Sequence, residues 1–363
     1  MSIWLFLGII GVSMLIILLL ERMGKLNAER HAVLLIFKTK RGMDLIERIS
    51  KYRRFWKVFG SFAIVVGILG MVLVVSSLAY TMYSTFFLDV PMQGAKAVIP
   101  GVTIPFWYGM IGLATVLIVH EFSHGFVARS EGVTIKNLGV VLLTIIPIGA
   151  FVEPDEEELK AKSRISRMRV YSAGSFGNIL LAIFAFILMA AFSSFFFDGS
   201  SLKISGVVEG SPADGILEEG MVVEVIDGMS ISDAPDFRAA TKGITPDLDM
   251  IITTDRGTFT ITTVEREGDP KRGFIGIMLA PSLNEGLPGY IFSTLWWIAF
   301  LNQGIGLINL APLHFGIAAT DGHHILKDIL SKLRIKEAEK VTLAISTTLL
   351  MVLLFSVIGP SYI

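Results

Sequence analysis

The chain has 363 residues, 53% of them hydrophobic and 17% charged, with a net charge of −1. Soluble domains carry about 25% charge, so this composition excludes a wholly water-soluble protein and assigns the apolar excess to lipid. Cysteine is absent, which excludes a disulfide framework and thiol chemistry and leaves His, Asp and Glu as the ligands for any zinc.

A transmembrane helix needs about 20 predominantly apolar residues. The first stretch of that kind is Ile3 to Leu20. It lacks a basic leader and a small-residue cleavage site, so it reads as a retained span rather than a signal peptide. A basic loop follows, from Arg22 through Lys38, Arg48 and Arg53 to Lys57. Within it Leu45, Ile46 and Ile49 recur at helical spacing, with Phe55 and Trp56 just beyond. This segment is expected to lie on anionic lipid rather than to bind nucleic acid. No phosphate-binding glycine loop is present, so ATP dependence is not supported.

Further spans are expected at Phe59 to Tyr80, Pro105 to Val127, Val170 to Phe197, Tyr290 to Leu310 and Val341 to Ile358. The apolar run Leu138 to Val152 is shorter and carries Pro147 and Gly149. It reads as a re-entrant segment, which membranes tolerate only against protein or water. Positive-inside reasoning puts the basic loop, Arg164 to Arg169, and Lys327 to Lys340 in the cytoplasm, and the N-terminus outside.

Residues 198–285 are polar, with alternating runs at Met221 to Ile226 and Met250 to Thr254. Turns are marked by Asp227-Gly228, Arg256-Gly257 and Gly268-Asp269-Pro270. Period-two alternation between such turns predicts short β-strands in one small extracytoplasmic domain. The expected organisation is therefore a two-span region at 1–104, a membrane core at 105–197, the β-rich insert at 198–285, and the rest of the core with the last span at 286–363.

The chemistry is concentrated at His120-Glu121-Phe122-Ser123-His124. Positions i and i+4 share a helix face, so His120 and His124 can hold one zinc with Glu121 beside it as general base. This match to HExxH lies in a membrane span, where ionisable residues default to a functional role. From Pro105 to His120 is about 22 Å of helix, which puts the metal toward the cytoplasmic side. A catalytic zinc takes three protein ligands and keeps one position open. The leading candidate for the third is Asp321, which has no lysine near it before Lys327. His314, His323 and His324 are its rivals, each more readily explained as an interfacial histidine that meets no metal.

Beyond HExxH, the chain carries Gly174-Ser175-Phe176-Gly177-Asn178 and then Asn309-Leu310-Ala311-Pro312 followed by Asp321-Gly322. In this order the three motifs resemble the site-2 protease family of intramembrane zinc metalloproteases, over about residues 105 to 330. The resemblance implies one zinc per chain, held by His120, His124 and Asp321. It implies Glu121 as the base that activates water, with Asn178 and Asn309 near the metal to position or polarise the scissile carbonyl. The small residues around Asn178 also suit close helix packing. The chain departs from the family pattern in a longer segment between Pro312 and Asp321, and in His323 where a second glycine is usual.

The family resemblance also turns Gly149-Ala150-Phe151-Val152 into part of a membrane-inserted β-hairpin. Its free edge would bind an unwound substrate by strand addition. Gly206-Val207-Val208-Glu209-Gly210-Ser211-Pro212-Ala213, Gly220 to Val223 and Ile226-Asp227-Gly228 resemble a PDZ domain, with Gly273 to Ile277 as a final strand. Such a domain would bind a peptide or exclude bulky substrates. The fold class expected is a polytopic α-helical membrane protein of about six spans, with a re-entrant β-loop and an inserted small β-rich PDZ-like domain. The function expected is intramembrane zinc endopeptidase, acting on transmembrane segments of membrane-protein substrates in a prokaryotic plasma membrane. The alternatives are a catalytically silent PDZ-containing adaptor, against which the intact Glu121 argues, and a metal transporter, against which the single ligand cluster argues.

Overall fold

The computed structural model describes residues 3–23, 29–31, 34–88, 98–143, 146–266, 269–284, 286–316 and 318–358. The chain divides into two compact units, Met1–Phe186 with Thr294–Ile363, and Ile187–Ser293.

The larger unit begins with helix α1 (Ile3–Arg22), where the first span is expected. Strands β1 (Glu29–His31) and β2 (Leu34–Thr39) follow, then α2 (Met43–Ser50), the long α3 (Arg53–Phe87) and α4 (Phe106–Ser130). A hairpin of β3 (Ile135–Leu143) and β4 (Ile146–Pro154) leads to α5 (Glu156–Ala161) and α6 (Arg164–Ala191). The four strands form one antiparallel sheet in the order β1-β2-β3-β4, so β4 is an edge strand.

The re-entrant stretch is thus a regular hairpin. Its backbone groups are satisfied by β2, a strand that lies in the basic loop and that the reading by charge did not anticipate. β2 pairs with β3 along its whole length, from Leu34 opposite Leu143 to Thr39 opposite Leu138. A hairpin with an extra strand leaves fewer unpaired amides than irregular chain would, which matters most near lipid.

The amphipathic segment after β2 does form a helix, α2; Leu45 is 46% exposed, but the expectation that Ile46 lies on lipid is corrected. Ile46 is 1% exposed and packs with Val127, Leu138, Val152 and Val170 in a core between helices and hairpin. Trp56 is buried in the same cluster, and its Nε1–H donates to Ile49 O at 2.9 Å. Phe55 remains exposed.

The smaller unit starts within α6 and continues through α7 (Ser193–Phe196), β5 (Phe197–Val207), β6 (Val222–Ile226), β7 (Met229–Ser230) and α8 (Ala234–Ala240). Then come β8 (Asp249–Thr254), β9 (Gly257–Thr262), β10 (Val264–Arg266), β11 (Asp269–Phe274) and β12 (Ile277–Leu283). The main sheet runs β12-β5-β6-β8-β9, with β7 paired to β6. Along β8 the buried Met250, Ile252 and Thr254 alternate with exposed Asp249 and Ile251, the period that predicted the strand. Asp227 and Gly228 both take positive φ, 48° and 82°, which closes the β6–β7 hairpin with the twist that two-residue turns require. The stretch Gly273 to Ile277 is not one strand. Gly273 and Phe274 end β11, Gly276 turns at φ 84°, and Ile277 opens β12. Gly268 lies outside the described residues.

The chain re-enters the larger unit through α9 (Leu287–Leu310), then α10 (Asp321–Lys332) and α11 (Ala338–Ile358). Among the described residues five helices are long and apolar enough to cross a membrane: α3, α4, α6, α9 and most of α11. On α3, Phe62, Val65, Leu69, Val72 and Leu73 are each more than half exposed. In water such a face would aggregate; in a bilayer it meets lipid.

Candidate metal centre

The two histidines of α4 sit one helical turn apart, and their Nε2 atoms are 3.1 Å from each other. The first residue of α10 supplies a carboxylate to the same point. Asp321 Oδ1 is 3.3 Å from His124 Nε2 and Oδ2 is 3.6 Å from His120 Nε2. A tetrahedral zinc with bonds of about 2.0–2.1 Å separates its ligand atoms by roughly 3.3 Å. The three separations bracket that value, so the donor set fits the ion. Among the described residues this is the one group of His, Asp and Glu that converges closely enough to hold a metal.

The surroundings fix the ligands in metal-binding form. His124 Nδ1 lies 2.7 Å from Val170 O on α6. A carbonyl only accepts, so Nδ1 carries the proton and Nε2 keeps its lone pair for the metal. Ser175 Oγ donates to Asp321 Oδ2 at 2.9 Å. Asn178, expected at the scissile carbonyl, is fully buried, and its amide lies 3.2 Å from His120 Nδ1. Its Oδ1 has no partner. Turning the amide over would place that oxygen on the Nδ1–H of His120. The contact it makes is therefore with His120, one of the three converging residues.

Gly174 lies on α6 directly under the two imidazoles. A Cβ there would come within 2.3 Å of His124 Nε2 and 2.8 Å of His120 Nε2, so the bare backbone leaves the space that an ion would share. Gly174→Ala is expected to lower bound zinc at least tenfold with helical content retained, read by metal analysis and circular dichroism. Displacing groups around a metal typically changes affinity by 10–100-fold. Full zinc occupancy in this variant would show that the imidazoles can move aside.

The long segment before Asp321 is stapled rather than loose. Thr320 is 7% exposed. Its Oγ1 donates to Ala311 O at 2.6 Å and accepts from Leu313 N–H at 2.9 Å. His314 and Ala319 form an isolated antiparallel bridge. At Gly322 the turn passes so close to the end of α9 that a Cβ would lie 2.1 Å from Leu310 O. That approach brings the helix end bearing half-buried Asn309 to the residue beside Asp321. Further along α10, Asp328 accepts from Arg167 Nη2 at 2.5 Å and Nε at 3.1 Å, a bidentate pair that ties α10 to α6.

Glu121 faces the other way, toward the hairpin. Its Oε2 accepts from the backbone N–H of Val152 on β4 at 2.9 Å. Gly149, Ala150 and Phe151 precede Val152 on this edge strand, which meets the base at Val152.

The rival histidines stand apart from the metal group. His323 Nδ1 is 2.8 Å from Ser346 Oγ, and His324 stacks on Tyr171 with ring centroids 4.9 Å apart. With His314 they line a cleft of about 610 Å³ that also includes Glu156, Lys160 and Asp328. Burial, reinforced by the neighbouring His324, His314 and Lys327, lowers the His323 pKa to about 4. That ring is neutral at physiological pH and engaged with Ser346. Ser175, Thr320, Val170 O and the Val152 N–H were not found from the sequence. Two of them are backbone groups, for which residue identity carries no signal.

A sequence model described as Peptidase family M50 matches residues 108–357. An uncharacterized protein of Methanocaldococcus jannaschii is 31% identical over 297 residues, covering 80% of this chain and 76% of its own length. A Clostridium perfringens protein provisionally named as a zinc metalloprotease is 30% identical over 209 residues, 50% of this chain and 61% of that protein. A protein of Arabidopsis thaliana named as a membrane-bound transcription factor site-2 protease homolog is 31% identical over 128 residues, 34% of this chain and 25% of that one.

Proposed function

The chain belongs to peptidase family M50 and is a multi-pass membrane metalloprotease, and from that premise we propose that it hydrolyses peptide bonds within transmembrane segments of other membrane proteins. The observation that carries the reading is the position of the ligands. His120 and His124 lie in α4, a helix able to span the bilayer, and Asp321 meets them from α10. In this reading a substrate bond cleaved there lies at membrane depth.

Zinc held by His120, His124 and Asp321 supplies Lewis acidity to a carbonyl and to water. The protein's own residues do the rest. Glu121 accepts the proton of the attacking water and returns it to the leaving amine. Asn178 keeps His120 in its metal-binding tautomer, and Val170 O does the same for His124. The β4 edge holds the substrate extended, because a helical substrate hides its peptide bonds. In this reading the β-rich unit is PDZ-like and extracytoplasmic, admitting or capturing substrates before cleavage.

The test is cleavage of a panel of single-span substrates by the purified protein in liposomes, with bound metal quantified. Cleavage that a chelator removes and added zinc restores is the expected result. Zinc present with no cleavage of any substrate would favour the silent adaptor. Metal flux into the liposomes would favour the transporter. Well-folded protein without zinc would overturn the reading altogether.

A further inference from the structure

Val152 contacts the HExxH helix twice. Its backbone N–H donates to Glu121 Oε2 at 2.9 Å. Its side chain lies against Gly125, where a Cβ would come within 3.0 Å of it. In the β3–β4 ladder Val152 is opposite Leu138 and Ala150 opposite Val140. An N–H that reaches Glu121 points away from β3. By the two-residue period, Ala150 presents its N–H and C=O to the same open side. The two register shifts in this ladder, between Ile135 and Asn137 and between Val141 and Leu142, lie on either side of the Ala150–Val152 stretch and leave that alternation intact.

From this placement we infer that the Val152 N–H is a positioning donor for Glu121 and, at the same time, the end stop of the substrate ladder on β4. An extended substrate pairs with the edge at Ala150. It finds no donor at Val152, about 7 Å further on, because Glu121 already occupies it. The substrate therefore leaves the edge where the base stands, and the bond cleaved lies at a fixed register from the segment paired to Ala150. Anchoring Oε2 also fixes the rotation of the carboxylate. The strand exchanges no proton and breaks no bond; it acts through Glu121. The inference rests on the peptidase reading of this site.

Val152→Pro removes the N–H on the open side and leaves the β3 side without a lost donor. Val152→Ala keeps the N–H. Replacing Val152 by its α-hydroxy acid, which makes residue 152 an ester, removes the N–H alone. Each full-length protein would be assayed in liposomes on one single-span substrate, with kcat, KM and bound zinc measured and cleavage sites mapped by mass spectrometry. Misplacing a reacting group by about 1 Å costs on the order of 100-fold. The proline and ester variants are therefore expected to lose 10- to 100-fold in kcat, with KM and zinc within about twofold of wild type, and to keep the wild-type cleavage site, because neither offers a donor at residue 152 that would extend the ladder. The alanine variant keeps the N–H, so its kcat is expected to fall less than that of the ester variant. If the proline variant fails to fold, the ester variant decides. An ester variant with wild-type kcat would overturn the inference while leaving the peptidase reading intact. A wild-type protein that cleaves nothing would overturn both.

Discussion

Glu121→Gln is expected to abolish cleavage while leaving zinc bound. The substitution keeps the shape of the side chain. The amide oxygen can still accept from the Val152 N–H, now 2.9 Å from Oε2, so β4 and α4 stay packed. What is lost is the ability to take a proton from water. A positioned general base contributes about 10²–10⁴ in rate, so kcat should fall by that factor. Zinc should remain at the wild-type level, because Glu121 is not among the three converging ligands. The measurement is cleavage of a transmembrane substrate in liposomes beside metal analysis of the same sample. Activity within tenfold of wild type would remove Glu121 from its role as base. Loss of zinc would mean that Glu121 also holds the metal group in place.

The features legible in the sequence are those that a helix or a strand repeats. The apolar runs located the spans because a bilayer sets their length, and His120 and His124 declared one face because the helix period is fixed. The alternation in Met250 to Thr254 gave β8 for the same reason. What escaped is long-range. Nothing in Leu34 to Thr39 says that it pairs with Leu138 to Leu143, about a hundred residues away, and a basic surrounding suggested lipid instead. The burial of Ile46 depends on the hairpin that this pairing supports, so one missed strand carried a second error with it. Asn178 was legible as a polar residue out of place in a span, but its partner was not. Only the geometry gives it to His120 Nδ1. Asp321 was reachable by motif, yet the long segment before it offered three histidines as rivals. The Thr320 hydrogen bonds that close this segment onto Ala311 and Leu313 hold the residue next to Asp321 in place, and no periodicity announces them.

Asp321→Ala is the variant expected to remove the metal. Two imidazoles would remain, with Nε2 atoms 3.1 Å apart and lone pairs facing each other, and a catalytic zinc site needs three protein ligands. Ser175 Oγ would lose the carboxylate it donates to. Each further tenfold in affinity corresponds to about 1.4 kcal/mol. Losing a charged ligand and its neutralising effect is expected to weaken zinc by at least 100-fold, about 3 kcal/mol. At micromolar protein after dialysis against a weak chelator, the variant should hold less than a tenth of the wild-type zinc and cleave nothing. His324→Ala is the control. Its ring stacks on Tyr171 rather than joining the ligand group, so its zinc content should match wild type. The pair of variants separates the two ways the chain could complete the site. If Asp321→Ala kept its zinc and His324→Ala lost it, the third ligand would be a histidine from the cleft, and α10 would have to turn to deliver it. The Arg167 fork on Asp328 resists such a turn, because both nitrogens are committed to one carboxylate on α10. The geometry therefore favours loss of zinc in the aspartate variant alone.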